Sequence, residues 1–259
     1  MQPRSILIGA LVVALLAIGG GSAAYVLFLR GDDVAPLALP STAAGASSGT
    51  SADSSAGSGA ASGAVASMPA ASGSTLDAAS VPGTWAIGPN SVVGYRVRER
   101  LASLSADSDA VGRTSTITGT ATITGSGSTL TVSKADFTVD MTSLASDKQM
   151  RDNRLRTQGI ETNTYTTSTF ILTQPLALPA NALSGSPVSV TIHGDLTLHG
   201  VTKTVDVAAK AQVSGSVIQV LGTLTFPFSD FNIVAPSIGG FVTVQDTGTL
   251  EFLVNLTKS

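Results

Sequence analysis

The residues from Val188 to Thr204, VSVTIHGDLTLHGVTKT, sort by parity. Val188, Val190, Ile192, Gly194, Leu196 and Leu198 fall on one side. Ser189, Thr191, His193, Asp195, Thr197 and His199 fall on the other. Successive side chains on a strand point to opposite faces, so the stretch reads as one strand, or two collinear pieces, with one apolar and one polar face. An apolar face of that length must be covered, which commits the chain to a sheet with an interior.

The same alternation recurs along the C-terminal two thirds. Trp85-Ala86-Ile87, the turn Pro89-Asn90-Ser91 and Val92–Arg98 read as strand, turn and strand, with Val93, Tyr95 and Val97 on one face and Arg96 and Arg98 on the other. In Thr114–Thr124 every even position is Thr, a strand residue that tolerates solvent, and Ile117, Gly119, Ala121 and Ile123 oppose them. Thr129–Met141 returns as strand after Gly125–Ser128. Its apolar parity switches between Val132 and Phe137, which predicts a bulge near Lys134–Asp136. Ser143–Thr157 is charged and lacks β-branched residues until its end, so it reads as a short surface helix or turn with Leu144 and Leu155 inward. Tyr165–Thr173 is strand again, Leu176–Pro187 a loop, and Val205–Val213, Val217–Phe226 and Thr249–Leu256 complete the set. About eight antiparallel strands with no βαβ unit make a two-sheet sandwich or a closed barrel, and periodicity alone does not choose between them.

The N-terminal third differs in kind. Ser5–Leu29 is uncharged and mostly apolar. About 25 residues of helix span about 37 Å, enough for a bilayer core of about 30 Å, and exceed a signal-peptide core of about 7–15 residues. Residues 1–30 are therefore expected to be an uncleaved transmembrane signal anchor. Arg4 and the α-amino group precede the run, and Asp32 and Asp33 follow Arg30, which favours an extracytoplasmic C-terminal domain. Residues 31–80 are almost all Ala, Ser, Gly, Thr and Pro, too poor in large apolar side chains to fold, and are expected to be a disordered linker. The Gly45-Ala46-Ser47-Ser48-Gly49 string inside it lacks the strand and helix that a nucleophile elbow needs. The folded domain is then 81–259.

Composition narrows the function. The chain has no Cys, which excludes disulfides, thiolate metal sites and Cys nucleophiles. A net charge of −3 with no basic cluster gives no footprint for nucleic acid. The only histidines, His193 and His199, lie about 20 Å apart if the strand is straight, with no third ligand, so no metal site is expected; His199 is better placed to organise the turn at Gly200. No catalytic constellation is present, and the expectation is a protein that is not an enzyme and carries no resident cofactor. Asn255-Leu256-Thr257 matches a glycosylation sequon by rule only.

The segment GDLTLHGVTK, Gly194–Lys203, resembles the G-x-L-T-[LM]-H-G-V-T-[KR] signature of the YceI-like family. The likeness extends in order over most of Val81–Lys258. Trp85-Ala86-Ile87-Gly88 and Ser91-Val92-Val93 match the family's opening. Ser143–Ser146 with Arg151–Thr157 resembles its S-I-x-T and R-D-x-H-L-R-S runs, and Ser229–Ile233 its Asp-Phe/Trp-Gly-Ile run. Arg154 stands where the family has His, Gly159-Ile160 replaces Phe-Phe, Thr166 replaces Pro and Gly88 replaces Asp. The resemblance implies an all-β fold: an antiparallel, eight-stranded lipocalin-like barrel with a short helix, holding a long isoprenoid lipid such as a quinone or polyprenyl compound.

In any all-β fold Val93, Tyr95, Val97, Phe137, Val139, Phe170, Leu172, Leu196, Leu198, Phe226 and Phe252 are core. In a hollow barrel they line the ligand, and burying ten carbons of a prenyl tail at about 0.8 kcal/mol per CH₂ contributes about 8 kcal/mol before entropic costs. Arg151 and Asp152 are either head-group contacts or a surface ion pair worth under about 1 kcal/mol. A lipid carrier is thus the first expectation. The other is a stalked envelope interaction module with a filled core and no ligand.

Overall fold

The computed structural model describes residues 34–40, 76–101, 107–127, 129–236 and 242–259. The expected anchor lies outside the described residues, as do 31–33 and 41–75 of the expected linker. Among the described residues no helix is long and apolar enough to cross a membrane.

Thirteen strands of the described residues form one antiparallel sheet. They are β1 (Gly83–Ile87), β2 (Val92–Leu101), β3 (Asp107–Thr114), β4 (Ile117–Ser126), β5 (Thr129–Asp140), β6 (Ala145–Ser146), β7 (Thr167–Leu172), β8 (Leu176–Ala177), β9 (Val188–Leu198), β10 (Val201–Ser214), β11 (Val217–Pro227), β12 (Val242–Val244) and β13 (Thr247–Lys258). Among the described residues the single α-helix, α1, is Gln149–Leu155. The sheet closes because β13 pairs with β11 on one edge and with both β1 and β2 on the other. β1 and β2 are two halves of one bent strand, and so are β3 and β4, each pair lying side by side with the other. Counting each bent pair once and setting aside the two- and three-residue strands β6, β8 and β12 leaves eight staves: β1/β2, β3/β4, β5, β7, β9, β10, β11 and β13. This is a closed antiparallel barrel, the alternative to a sandwich that periodicity left open.

The bend between β1 and β2 is pinned from inside the wall. Asn90 has φ 61, Ser91 Oγ donates to the Gly88 carbonyl at 2.8 Å, and Asn255 N donates to Ser91 Oγ at 3.0 Å. The Asn255 side chain is buried and bonded to Pro89 O and Gln219.

Several sequence expectations change. The opening stretch is not collinear: it is the β9–β10 hairpin, turned at His199 and Gly200, whose φ values of 51 and 72 make the tight reversal. Thr114 does not face solvent with the other threonines. It ends β3, a strand that the alternation did not mark, and is buried against Ser143 Oγ at 2.6 Å. The irregularity in β5 exists, with Ser133 the extra residue opposite Thr122 and Ile123. Inside the expected loop Leu176–Pro187, two residues pair with β5 as β8. The folded unit begins before Val81, because Leu76 already packs on the core. Finally, Val34–Pro40, inside the stretch expected to be disordered, lies on the barrel wall: Val34 O and Ala35 O accept hydrogen bonds from Arg96 and Arg113 at 2.9 and 2.7 Å.

Two apolar clusters occupy the two ends of the barrel. One gathers Val81, Trp85, Ala121, Ile123, Leu130, Ala135 and Leu256. The other gathers Leu196, Leu198, Phe226, Phe228, Phe231 and Ile233.

Candidate functional site

The interior between these clusters is a cavity of about 300 Å³, at the lower end of ligand-pocket sizes of roughly 300–1,000 Å³. Its lining is almost wholly aliphatic and aromatic. All eleven apolar residues proposed from the sequence face it: Val93, Tyr95, Val97, Phe137, Val139, Phe170, Leu172, Leu196, Leu198, Phe226 and Phe252. The filled core that the interaction-module reading needs is not what the described residues build.

The hollow has a packing cause. Its aromatic rings lie against glycines on the neighbouring strands. A Cβ on Gly194 would come within 2.2 Å of Phe170, on Gly222 within 2.3 Å of Phe252, on Gly112 within 2.4 Å of Tyr95, and on Gly119 within 2.8 Å of Phe137. Each ring rests in the space a side chain would take. It therefore lies along the wall and leaves the centre open.

One end is closed. Val81 and Trp85 are 0% and 1% exposed, and Trp85 Nε1 donates to the Val81 carbonyl at 2.8 Å. At the other end the lining residues Leu144, Arg151, Leu155, Ile160 and Pro236 are only half-buried. This is the mouth, formed by α1, the loop at Gly159-Ile160 and the segment after Phe231. Leu144 and Leu155 face inward as expected.

The polar groups of the site gather near this mouth. Arg151 reaches Asp147 at 2.6 Å and Glu99 at 3.6 Å. Burial pushes the Glu99 carboxyl above the usual glutamate range, and Arg151 opposes that rise. The Tyr95 hydroxyl is buried without a hydrogen-bond partner, and burial pushes its phenol upward. An unpaired buried hydroxyl is costly, and this one lies in the wall beside Gly112. Asp152 is elsewhere: its Oδ1 accepts from Ser146 N at 2.9 Å and Ser146 Oγ at 2.7 Å, and it does not line the cavity. It holds the loop before α1, so of the two head-group candidates only Arg151 faces the interior. Glu99 was missed by sequence reasoning, although it continues the inward parity of Val93, Tyr95 and Val97.

The histidines stand apart. His193 Nδ1 lies 2.6 Å from Asp206 Oδ1 on the outer wall. His199 Nδ1 donates to the Phe231 carbonyl at 3.0 Å and its ring packs 4.1 Å from Tyr165. That bond ties the β9–β10 turn to the mouth segment, as the turn-organising reading of His199 expects. Among the described residues no three side chains cluster as metal ligands.

The model of the YceI-like domain matches residues 85–256. The chain belongs to the YceI-like family. Two curated relatives, the UPF0312 proteins VVA0736 and VV2_0231 from two strains of Vibrio vulnificus, are each 29% identical over 123 residues. The match covers 45% of this chain and 61% of each of them. Among solved structures, a polyisoprenoid binding domain from Saccharophagus degradans, implicated in plant cell wall breakdown, superposes with a TM-score of 0.51 at 18% identity. That match covers 69% of this chain and 99% of that one. BcnA of Burkholderia cenocepacia gives a TM-score of 0.46 at 17% identity, over 63% and 95% of the two chains. At such identities the likeness is one of fold: this YceI-like chain is an all-β lipocalin-like barrel.

Proposed function

We propose that the protein binds a long-chain isoprenoid lipid, of quinone or polyprenyl type, inside the barrel at the outer face of the cytoplasmic membrane, and stores it or passes it on. The observation that carries this is the asymmetry of the cavity. A continuous apolar lumen suits a hydrocarbon tail, and the polar groups at its open end suit a head group. The eleven apolar residues would hold the tail. The Tyr95 hydroxyl and Arg151 would meet the head. The name of the Saccharophagus relative, a polyisoprenoid binding domain, supports the ligand class. The proposed role is binding and not catalysis, and the mouth suits it: Arg151 is held in ion pairs with Glu99 and Asp147, and the Ser146 hydroxyl is spent on the Asp152 carboxylate in the loop before α1. The apolar run Ser5–Leu29 supplies the membrane attachment.

Native mass spectrometry with lipid extraction on the full chain tests this. One prenyl lipid per protein is expected, and its loss in Leu196→Trp, which fills the lumen, while the fold persists. An empty protein that also refuses added menaquinone, ubiquinone and polyprenyl phosphate would overturn the proposal.

A further inference from the structure

The outer wall at β13 carries a built site. Glu251 is 2% exposed and lies between the lumen-lining Leu250 and Phe252, so it faces outward. Glu251 pairs with Gly94 on β2, and Gly94 pairs with Arg113 on β3. The glycine lets the Arg113 side chain cross the middle strand: a Cβ on Gly94 would come within 2.7 Å of Arg113 Cγ. Arg113 Nε and Nη2 donate to Glu251 Oε1 at 3.0 and 2.7 Å. Arg96 donates to Asp109 at 3.2 Å and lies 3.5 Å from Glu251 Oε2. Both guanidiniums are thus held and charge-paired, which suits them to uncharged acceptors. Two such acceptors are in place. Arg96 Nη2 donates to Val34 O at 2.9 Å, and Arg113 Nη2 donates to Ala35 O at 2.7 Å.

The segment that supplies these carbonyls suits a groove. Pro36 and Pro40 have no N–H, so they ask no acceptor of the wall. Ala35 and Leu39 each precede a proline, which pushes them to extended backbone. Leu37 and Leu39 are half-buried with exposed Ala38 between them, and Pro40 shares a cleft with Pro89, Leu253 and Asn255. An extended, proline-bearing segment loses little conformational freedom on docking, and grooves for such segments read its exposed carbonyls and its alternate apolar side chains.

We propose that the wall of β13, β2 and β3 is a docking groove for an extended, proline-bearing segment, that its occupant is Val34–Pro40 of the same chain, and that the Arg96–Arg113–Glu251 clamp holds this segment whatever the length of the chain between Pro40 and Leu76. The chain before Val34 is then joined to the barrel at its wall. Residues 41–75 connect two points that the barrel holds separately, Pro40 in its cleft and Leu76 on the core. Docking of this kind does not depend on what the lumen contains.

The chain has no Cys, so nitroxide labels can be placed singly or in pairs on the full protein. Ala38→Cys labels the segment, and Ile171→Cys labels β7 on the opposite side of the barrel, where the side chain is exposed. In detergent solution, pulsed dipolar spectroscopy should give one narrow distance distribution. Doubling the length of 41–75 with Gly-Ser residues should cost about threefold in the docking equilibrium and leave the distribution narrow. Leu37→Ser with Leu39→Ser, which alters the segment and not the barrel, should broaden it several-fold. Arg96→Met with Arg113→Met should do the same where circular dichroism shows the barrel still folded; the leucine pair serves if it is not. A broad distribution in the unaltered chain, one that broadens on lengthening 41–75, or one that survives either replacement in a folded barrel would overturn the groove. A narrow distance between Ala38 labels on two copies, with a doubled mass in solution, would give the occupant to a second copy and overturn docking within the chain.

Discussion

The two ends of the barrel are built from opposite materials. At the closed end Val81 and Trp85 are sealed under strand pairing, and Lys258 Nζ donates to the carbonyls of Ser80 and Pro82, tying the last strand to the segment before the first. At the mouth, above the buried Phe228 and Ile233, the lining residues Leu144, Arg151, Leu155, Ile160 and Pro236 are half-buried, the elements are a seven-residue helix and turns, and charges reach the lumen. Close packing belongs where nothing has to enter. Loose packing and a buried phenol without a partner are tolerated where a ligand is to pass. Substitutions at the closed end should therefore act on stability first, and those at the mouth on ligand first.

The largest expected effect is at the closed end. Trp85→Ala removes the largest side chain of its cluster together with the Nε1 bond to Val81, and about 3–5 kcal/mol of stability should go with it. Thermal and urea unfolding check this, and a loss under about 1 kcal/mol would refute the division of labour between the ends. Gly194→Val, midway along β9, comes next. The new side chain collides with Phe170 and the Ile171 carbonyl, so the ring must swing into the lumen. About 1–3 kcal/mol of overpacking cost is expected, with bound lipid reduced at least tenfold by extraction. Retention of full occupancy would show that the rings do not keep the lumen open.

What the sequence revealed and concealed divides along the same axis. The lumen was legible because side-chain direction in a strand is fixed by parity alone, so every residue chosen by alternation does face the cavity. Glu99 obeys the same parity, but a hydrophobic pattern does not mark an acid on an otherwise apolar face. β3 was invisible: Asp107, Asp109 and Arg113 are charged, and Ala110 and Val111 are adjacent and both buried. Its acids pair with Arg98 and Arg100 across the strand, a reason that exists only once the partner is in place. The placement of Val34–Pro40 was hidden for the same cause. Seven residues of Val, Ala, Pro and Leu carry little intrinsic structure, and what holds them is a pair of arginines more than sixty residues away in sequence. The hairpin at His199-Gly200 hid differently, since its flanking strands kept one unbroken run of alternation.

A smaller effect on stability, and a larger one on ligand, is expected at the mouth. Arg151→Met keeps an unbranched apolar stem but removes the cation between Glu99 and Asp147. Because Arg151 and Glu99 are largely buried and Glu99 loses that cation, about 1–2 kcal/mol of stability should go, while the extracted lipid should shift away from anionic head groups. An unchanged lipid profile would remove Arg151 from head-group recognition. Equal loss of all lipids with a large fall in melting temperature would make it a structural residue.

The smallest effect concerns pH and Glu99. Burial raises its carboxyl in the folded state, so the folded protein holds that proton to higher pH than the unfolded chain does. By linkage its contribution is fully present below the ordinary glutamate range and is lost as pH rises through the raised folded value. Arg151, which favours the charged form, limits the loss. Glu99→Gln should therefore flatten the decline in melting temperature from mildly acidic to neutral pH and leave the acidic side unchanged. The sealed cluster at the closed end is built from Val81, Trp85, Ala121, Ile123, Leu130, Ala135 and Leu256, which do not titrate. Trp85→Phe should lower the melting temperature by the same amount at every pH across that window. If Glu99→Gln also shifts it uniformly, the mouth holds no titrating group of consequence, and the contrast between the ends is one of packing alone.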